Sequence, residues 1–437
     1  MKVLHVSTSD FSGGAARAAY RIHQAQVTAG IDSSMLVLHK GTSDTRVKAA
    51  PQKSLARRVV EKIQRRWIAY RRRDWRTDNP ILHTFSEASA QLIEYLNACD
   101  ADILNLHWVA GMLSVTDIGQ LRKPIVWTMH DMWPFCGGEH YAPDDAQARF
   151  RVGYRPDNRP PGEAGPDLNQ LTWKAKRRAW AAQKFKIISP SHWLAECVHS
   201  SALMQHYPVH VVPNPLDTDY PWRPIPRDVA RPALGLPPLA KLILMGADGG
   251  LRDPRKGGDL MRIAISNLIE KMRDDEIRLL IYGQEASSGP ESAWPCPVHW
   301  LGAVRDDRVL ALAYAAADVM IVPSRQDNLP NTALEAQACG TPVVAFDIGG
   351  LPDIVDHRET GWLAPAFDTE KLCDGIEWIL ADALRARALG LRARERAVNR
   401  FTPQKVASEY LRIYHDALSS DDHCRLTSTQ EQKPCET

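Results

Sequence analysis

The chain carries almost no net charge: 54 Lys and Arg against 52 Asp and Glu leave +2 over 437 residues, so no overall field draws it to nucleic acid. Its eight cysteines, at 99, 136, 197, 296, 339, 373, 424 and 435, form no Cys-x-x-Cys pair. That spacing argues against a zinc site and against a disulfide framework, and it suits reduced, cytosolic thiols. No apolar run is long enough to span a bilayer, and Met1 to His5 leads directly into a strand-like segment. Neither a signal peptide nor a transmembrane helix is therefore expected, which makes the protein cytoplasmic, soluble or peripheral. The spacings of GxGxxG and of the P-loop are missing too.

What is present is a repeated alternation of short apolar runs and helix-compatible segments. A chain of this length is too long for one ordinary core, and two domains of about 200 residues each are expected. In the first half, Val3 to Val6 reads as a buried strand, Ser7 to Gly14 as a loop, Ala15 to Ala29 as a helix and Met35 to Leu38 as the next strand. The boundary falls at the Pro213-Asn214-Pro215 turn, after which Leu242 to Gly246 opens a second unit. Strands ending at Gly283 and Gly302 and a helix over Asp307 to Ala317 continue it. The fold class is α/β, two doubly wound Rossmann-like domains, 1–212 and 213–400, facing across a cleft. A last helix over 401–418 and a disordered polar tail over 419–437 complete the chain.

The most informative stretch is Pro323-Ser324-Arg325-Gln326-Asp327-Asn328-Leu329-Pro330-Asn331-Thr332-Ala333-Leu334-Glu335-Ala336, continuing into Ala338-Cys339-Gly340-Thr341-Pro342-Val343-Val344. An apolar strand over Val319 to Val322 stops at a Pro-Ser loop, a helix follows from Thr332 to Gly340, and a second strand begins at Val343. In a parallel sheet such loops lie at the carboxyl ends of strands, where open α/β folds bind ligands, and a helix amino terminus attracts phosphate. Glu335 falls two turns into the helix, where a buried carboxylate needs a partner such as a sugar hydroxyl.

This stretch resembles the signature of family-4 retaining glycosyltransferases of the GT-B fold, two acids separated by seven residues ahead of an Ala-Cys-Gly-Thr-Pro-Val-Val run. The family usually has Glu at the first acid, where this chain has Asp327; Glu335 matches. Asn-Leu-Pro-Asn after the first acid is similar to the exopolysaccharide, colanic-acid-type branch. The resemblance implies that Glu335 accepts from the donor's ribose. It also implies that Asp327, with Asn328 and Leu329 after it, orients the donor sugar.

Other motifs gain meaning beside it. Gly13-Gly14, where the first strand meets its helix, reads equally as a tight turn or as a backbone cradle for phosphate; in the family such a loop approaches the donor diphosphate. Arg252, Arg255 and Lys256 put three cations at a strand-to-helix loop, suited to a diphosphate although a solvated turn looks the same. Lys256-Gly257 matches the family's Lys-Gly. Gly250 stands where the partner Arg usually lies, so Arg252 is its substitute from a shifted loop. Asn105-Leu106-His107-Trp108 and Met129-His130-Asp131 each end a strand in a histidine. Strand-end histidines also serve as structural hydrogen-bonding groups, but His130-Asp131 is similar to the family's His-Asp, whose His lies beside the donor sugar. His107 and Trp108 are placed on the acceptor side.

Two segments stand apart. From Lys53 to Arg76, ten basic residues meet Glu61 and Asp74, and Leu55, Val59, Ile63, Trp67 and Tyr70 recur at helical spacing. This basic amphipathic helix fits an anionic membrane surface, and it fits a solvated helix packed on the domain equally well; no nucleic-acid module accompanies it. The proline-rich stretch over 141–169 reads as an acceptor-side lid or as a spacer, with the lid favoured.

The expected activity is transfer, with retention, from a nucleotide-sugar to a hydroxyl of a glycan or lipid-linked glycan. No cofactor and no metal are expected: cations and main-chain N–H groups stabilise the departing diphosphate. Two alternatives stay open, a nucleotide-sugar epimerase of the same fold and a non-catalytic nucleotide-binding partner subunit.

Overall fold

A computed structural model describes residues 1–51, 62–63, 66, 69–70, 72–85, 92–246, 253–273, 275–286 and 294–430, with side chains to residue 419. The chain divides into two compact units, Met1–Val212 with Val406–Thr437, and Pro213–Lys405.

Among the described residues the first unit holds a seven-stranded sheet. Its strands are β1 (Lys2–Ser9), β2 (Asp32–His39), β3 (Val47–Ala49), β4 (Ile103–Leu106), β5 (Ile125–Thr128), β6 (Lys186–Ser189) and β7 (Val209–Val211). They lie in the order β3-β2-β1-β4-β5-β6-β7, every pair parallel. The strand order reverses between β1 and β4, and that is where an open α/β sheet leaves a crevice at its carboxyl edge. Strands such as Ile103–Leu106 are buried on both faces, as parallel sheets covered by helices require.

The second unit repeats the plan with β8 (Lys241–Gly246), β9 (Ile277–Tyr282), β10 (Val298–Gly302), β11 (Val319–Val322), β12 (Val343–Phe346) and β13 (Gly361–Ala364). Their order, β10-β9-β8-β11-β12-β13, is again fully parallel, with the switch point between β8 and β11. The helix Asn331–Ala338 has no polar face: Ala333, Leu334, Glu335, Ala336, Gln337 and Ala338 are all buried. Its small residues let it sit inside the unit. It ends in a paired turn in which Thr341 N–H reaches Ala336 O and Gly340 N–H reaches Gln337 O, both at 2.9 Å.

The last helix, Pro403–Gln430, buries Val406, Tyr410, Ile413 and Tyr414 against Val3, Ile22, Ile103 and Val126 of the first unit. Each such aliphatic side chain contributes about 1.5–3 kcal/mol. The disordered tail expected from Ser419 is instead helical as far as Gln430, because no Gly or Pro interrupts the chain there to stop the helix. Among the described residues no helix is long and apolar enough to cross a membrane.

The stretch over 141–169 is folded into the first unit rather than standing over it as a lid. Phe150 and Tyr154 belong to the core. Arg149, itself buried, pairs with Asp167 at 2.5 Å and Glu163 at 3.7 Å and stacks on Tyr154. One arginine thus ties the two ends of the segment together. Most of the basic stretch over 53–76 lies outside the described residues.

Candidate active site

In the second unit, the switch point gathers Gly246 at the end of β8, Pro323 and Ser324 after β11, and Lys256, Asp327 and Thr332 around a small pocket. Lys256 closes a single turn, Pro254–Lys256, that Asp253 caps by accepting from Arg255 N–H. The loop after β11 is gripped from two sides by backbone. Gly257 (φ 64°) presses so close that a Cβ there would stand 1.9 Å from Pro323 O, and one on Gly349 (φ 53°) would stand 2.1 Å from Asp327 O. Gly350 N–H adds a hydrogen bond of 3.1 Å to Asp327 O. Only residues without a side chain permit approach this close. Arg325 locks the same loop to the Lys256 side by a two-pronged pair with Asp259, at 2.7 and 2.6 Å.

Lys256 and Asp327, predicted separately for diphosphate and sugar, meet each other. Lys256 Nζ lies 2.6 Å from Asp327 Oδ2, with the side chains 21% and 10% exposed, and Ser324 Oγ donates to the same oxygen at 3.2 Å. The ammonium therefore rests on a carboxylate at the switch point and can exchange it for another anion.

Glu335 lies deeper, 2% exposed. Its Oε2 accepts from Tyr314 Oη at 2.8 Å, and the Tyr314 and Tyr282 hydroxyls lie 2.5 Å apart. Burial, with Glu335 and Tyr282 beside it, pushes the Tyr314 phenol well above its ordinary pKa, so it stays a donor. The Tyr282 ring fills the space beside Gly246, where a Cβ would stand 2.0 Å from it. These tyrosines were missed in the sequence, where the Tyr282-Gly283 strand end was the one available signal. Asn328 is buried and Leu329 packs in the core, so Leu329 can offer a ligand only its main chain. Arg252 lies outside the described residues, as do Gly249 and Gly250.

In the first unit, Gly13 (φ 92°) precedes the helix Gly14–Thr28 and offers no capping side chain, leaving that helix start to main-chain N–H groups. The loop leading to it is shaped by Asp10, whose carboxylate accepts from Gly41 N–H at 2.7 Å and from Thr42 N–H at 3.0 Å. His130 is half-buried just past β5. Its neighbour Asp131 is committed within the fold: Oδ2 takes Trp108 Nε1 at 2.9 Å and His140 Nδ1 at 2.6 Å, and Oδ1 takes Trp133 N–H at 3.0 Å. Burial alone would raise the Asp131 pKa, but His140 and the Trp133 N–H outweigh it and hold the carboxyl below its usual range.

His107 does not line an acceptor surface. It is 3% exposed and sits between two other imidazoles, His5 Nδ1 at 2.9 Å and His130 Nε2 at 3.0 Å. Its strand end points into the switch-point crevice of the sheet. Burial comes first in lowering all three: His5 to about 3, His130 to about 4, and His107 well below its ordinary value.

Two parallel sheets of this order, each with its polar residues at the switch point, make this the GT-B glycosyltransferase fold. Residues 12–220 match the family model described as Glycosyltransferase Family 4, and residues 243–382 match Glycosyl transferases group 1. One glycosyltransferase-family domain thus falls in each half. A D-inositol 3-phosphate glycosyltransferase of Saccharomonospora viridis is 37% identical over 215 residues, 46% of this chain and 48% of that protein. The chain spans about half the length of the curated relatives it matches. Among solved structures, a sucrose-phosphate synthase from Thermosynechococcus elongatus superposes with a TM-score of 0.66 at 19% identity, covering 96% of this chain and all of that one. Anabaena HepE, in complex with UDP and glucose, superposes with a TM-score of 0.64 at 15% identity, covering 94% and 98%. At these identities the likeness is one of fold.

Proposed function

We propose that the protein is a retaining glycosyltransferase moving a hexose from a nucleotide-sugar to a hydroxyl of a glycan or lipid-linked glycan, in the building of an exopolysaccharide or other cell-surface polysaccharide. The observation that carries the reading is the Lys256–Asp327 pair at the second switch point, with Glu335 just over one turn into the helix that follows. Lys256, Arg252 and the Gly13-Gly14 main chain serve the diphosphate. Glu335 accepts from the ribose, Asp327 from sugar hydroxyls, and His130 acts at the sugar; Asp131 positions the loop that carries it. In transfer the bond from the anomeric carbon to the phosphate oxygen breaks while the acceptor oxygen bonds to the same face. The acceptor's proton goes to the departing phosphate, so no covalent nucleophile is required.

Incubation with a panel of UDP- and GDP-sugars, with and without acceptor, tests this. Slow release of free sugar from one donor, accelerated by a glycan acceptor, is expected. An isomeric nucleotide-sugar would reveal an epimerase, and binding without turnover a partner subunit. The relatives' name favours a second acceptor class, a phosphorylated polyol, so D-inositol 3-phosphate belongs in the panel. We place the protein in the cytoplasm with an anionic membrane surface as the partner of the basic stretch over 53–76. Within it Ile63 and Tyr70 are 62% and 73% exposed, which supports a membrane over a packed helix.

A further inference from the structure

We propose that Asn105, Tyr414 and Gln26 are positioning residues that fix the tautomer of His130, keeping Nε2 protonated and Nδ1 an acceptor.

Two groups that cannot donate fix one end of the network. The carbonyl oxygens of Val126 and Leu106 face the Asn105 side-chain amide, so its NH2 must point at them, at 3.3 and 3.2 Å, and at Thr128 Oγ1 at 3.1 Å. The Asn105 oxygen then accepts from Tyr414 Oη at 2.6 Å. A phenol has one proton, and here it is used. Tyr414 Oη must therefore accept from its other neighbour, Gln26, whose Nε2 lies 2.8 Å away. With the amide so oriented, Gln26 Oε1 faces His5 Nε2 at 3.0 Å and requires a proton there.

From His5 the polarity passes inward through neutral rings. A neutral imidazole with hydrogen on Nε2 has a lone pair on Nδ1. His5 Nδ1 thus accepts from His107 Nε2 at 2.9 Å, and His107 Nδ1 accepts from His130 Nε2 at 3.0 Å. The ring centroids stand 5.2 and 5.3 Å apart, nearly parallel. His5, Gln26, Asn105 and His107 are all buried, so water does not break the sequence. Burial also keeps the rings neutral, as their lowered pKa values state. His130 is left with Nδ1 as an acceptor. It can receive a hydroxyl proton in a hydrogen bond and cannot donate to a phosphate oxygen.

The tautomer is a property of the unliganded first unit; what it does to a substrate rests on the transferase reading. The two are therefore tested apart. In the 15N-histidine-labelled full chain without ligand, long-range proton–nitrogen correlation at about pH 7.5, above the ordinary histidine range, is expected to show His5, His107 and His130 all protonated on Nε2. A proton on Nδ1 of His130 overturns the proposal whatever the activity. Tyr414→Phe leaves Gln26 without its acceptor, so both forms of His130 should appear, within about tenfold of each other. Gln26→Glu, which still accepts from His5, should keep the parent form. An unchanged tautomer in Tyr414→Phe, or a scrambled one in Gln26→Glu, overturns the remote setting. In transfer assays Tyr414→Phe should lower kcat several-fold at an unchanged affinity for the nucleoside diphosphate, whereas Gln26→Glu should keep most of the parent's kcat. An equal loss in both variants would assign these residues to folding alone.

Discussion

Replacing Asp327 with Asn should separate nucleotide binding from sugar transfer, and in opposite directions. In the unliganded protein the Lys256 ammonium is held 2.6 Å from the Asp327 carboxylate, and both side chains are largely but not fully buried. Removing one member of a buried pair costs about 3–5 kcal/mol, and exposed pairs are worth about 0–1 kcal/mol. The observed exposures place this pair between, at about 1–3 kcal/mol. The Asp327→Asn amide would leave Lys256 without a counter-charge until a diphosphate supplied one. A nucleoside diphosphate should then bind more tightly by about 1–2 kcal/mol, a factor of roughly 5–30. The parent must give up its own ion pair to bind, and the variant does not. Sugar transfer should fall nonetheless, by about tenfold or more, because an amide offers one acceptor where the carboxylate offered two charged oxygens. The unliganded variant should also melt about 2–4 °C lower for each kcal/mol lost. Calorimetry with UDP and GDP, followed by transfer kinetics, measures both effects. Asp327→Glu keeps the charge and should show neither the affinity gain nor as large a loss of transfer. An Asp327→Asn variant that binds the diphosphate more weakly than the parent, or transfers sugar at the parent's rate, would refute the reasoning.

Glu335→Gln should weaken nucleotide-sugar binding by about 1.5–3 kcal/mol with the fold retained, since Tyr314 can donate to an amide oxygen as well; unchanged affinity by calorimetry removes the ribose assignment. Gly349→Ala puts a methyl 2.1 Å from Asp327 O, so it should cost about 1–3 kcal/mol and lower donor affinity through the displaced loop; thermal melts and donor titration check both. Acid should weaken the first unit between about pH 6.5 and 4. His5 and His130 have folded pKa values of about 3 and about 4, so the unfolded chain binds protons first as pH falls, and the stability present above about pH 6.5 is lost downward at about 1.4 kcal/mol per unit of depression. Glu139, raised to about 7 by burial, acts in the opposite sense in that window, but against it stand further depressed histidines of the same unit, among them His107, His23 and His83, the last lowered to about 4. A melting temperature constant from about pH 7 to about pH 5 would contradict this. Vesicles rich in phosphatidylserine should bind the full chain, and removing Ile63 and Tyr70 as Ile63→Ser with Tyr70→Ser should weaken that binding; equal retention on neutral vesicles would argue against a charged surface.

Much of the second site was legible because its chemistry is packed into consecutive residues. Asp327 and Glu335 are held in register by one loop and one helix, and Lys256-Gly257 is a local pair. What could not be read was the company these residues keep. Tyr314 reaches Glu335 from a helix 21 positions away, Tyr282 reaches Tyr314 from a strand end 32 positions before it, and neither residue type announces a carboxylate partner. The grip of Gly349 on Asp327 O depends on how closely two backbones approach, which no spacing states.

The histidines show the same limit more sharply. His107 and His130 were readable as strand-end residues and His5, in the middle of β1, was not, and the face on which a strand residue projects is decided by pleat parity and the partner by register. In the sheet His5 of β1 stands opposite Asn105 of β4, and Asn105 stands opposite Val126 of β5. Two residues further along, His107 shares the face of Asn105; continuing past β5 from Val126 by even steps reaches Thr128 and then His130. One register shift of a single residue in either pairing would turn an imidazole to the opposite face and break the sequence of hydrogen bonds. Sequence therefore places His107 and His130 at the switch point, while only the pairing of β1, β4 and β5 joins them to His5, in mid-strand, as one oriented line from Gln26 to His130.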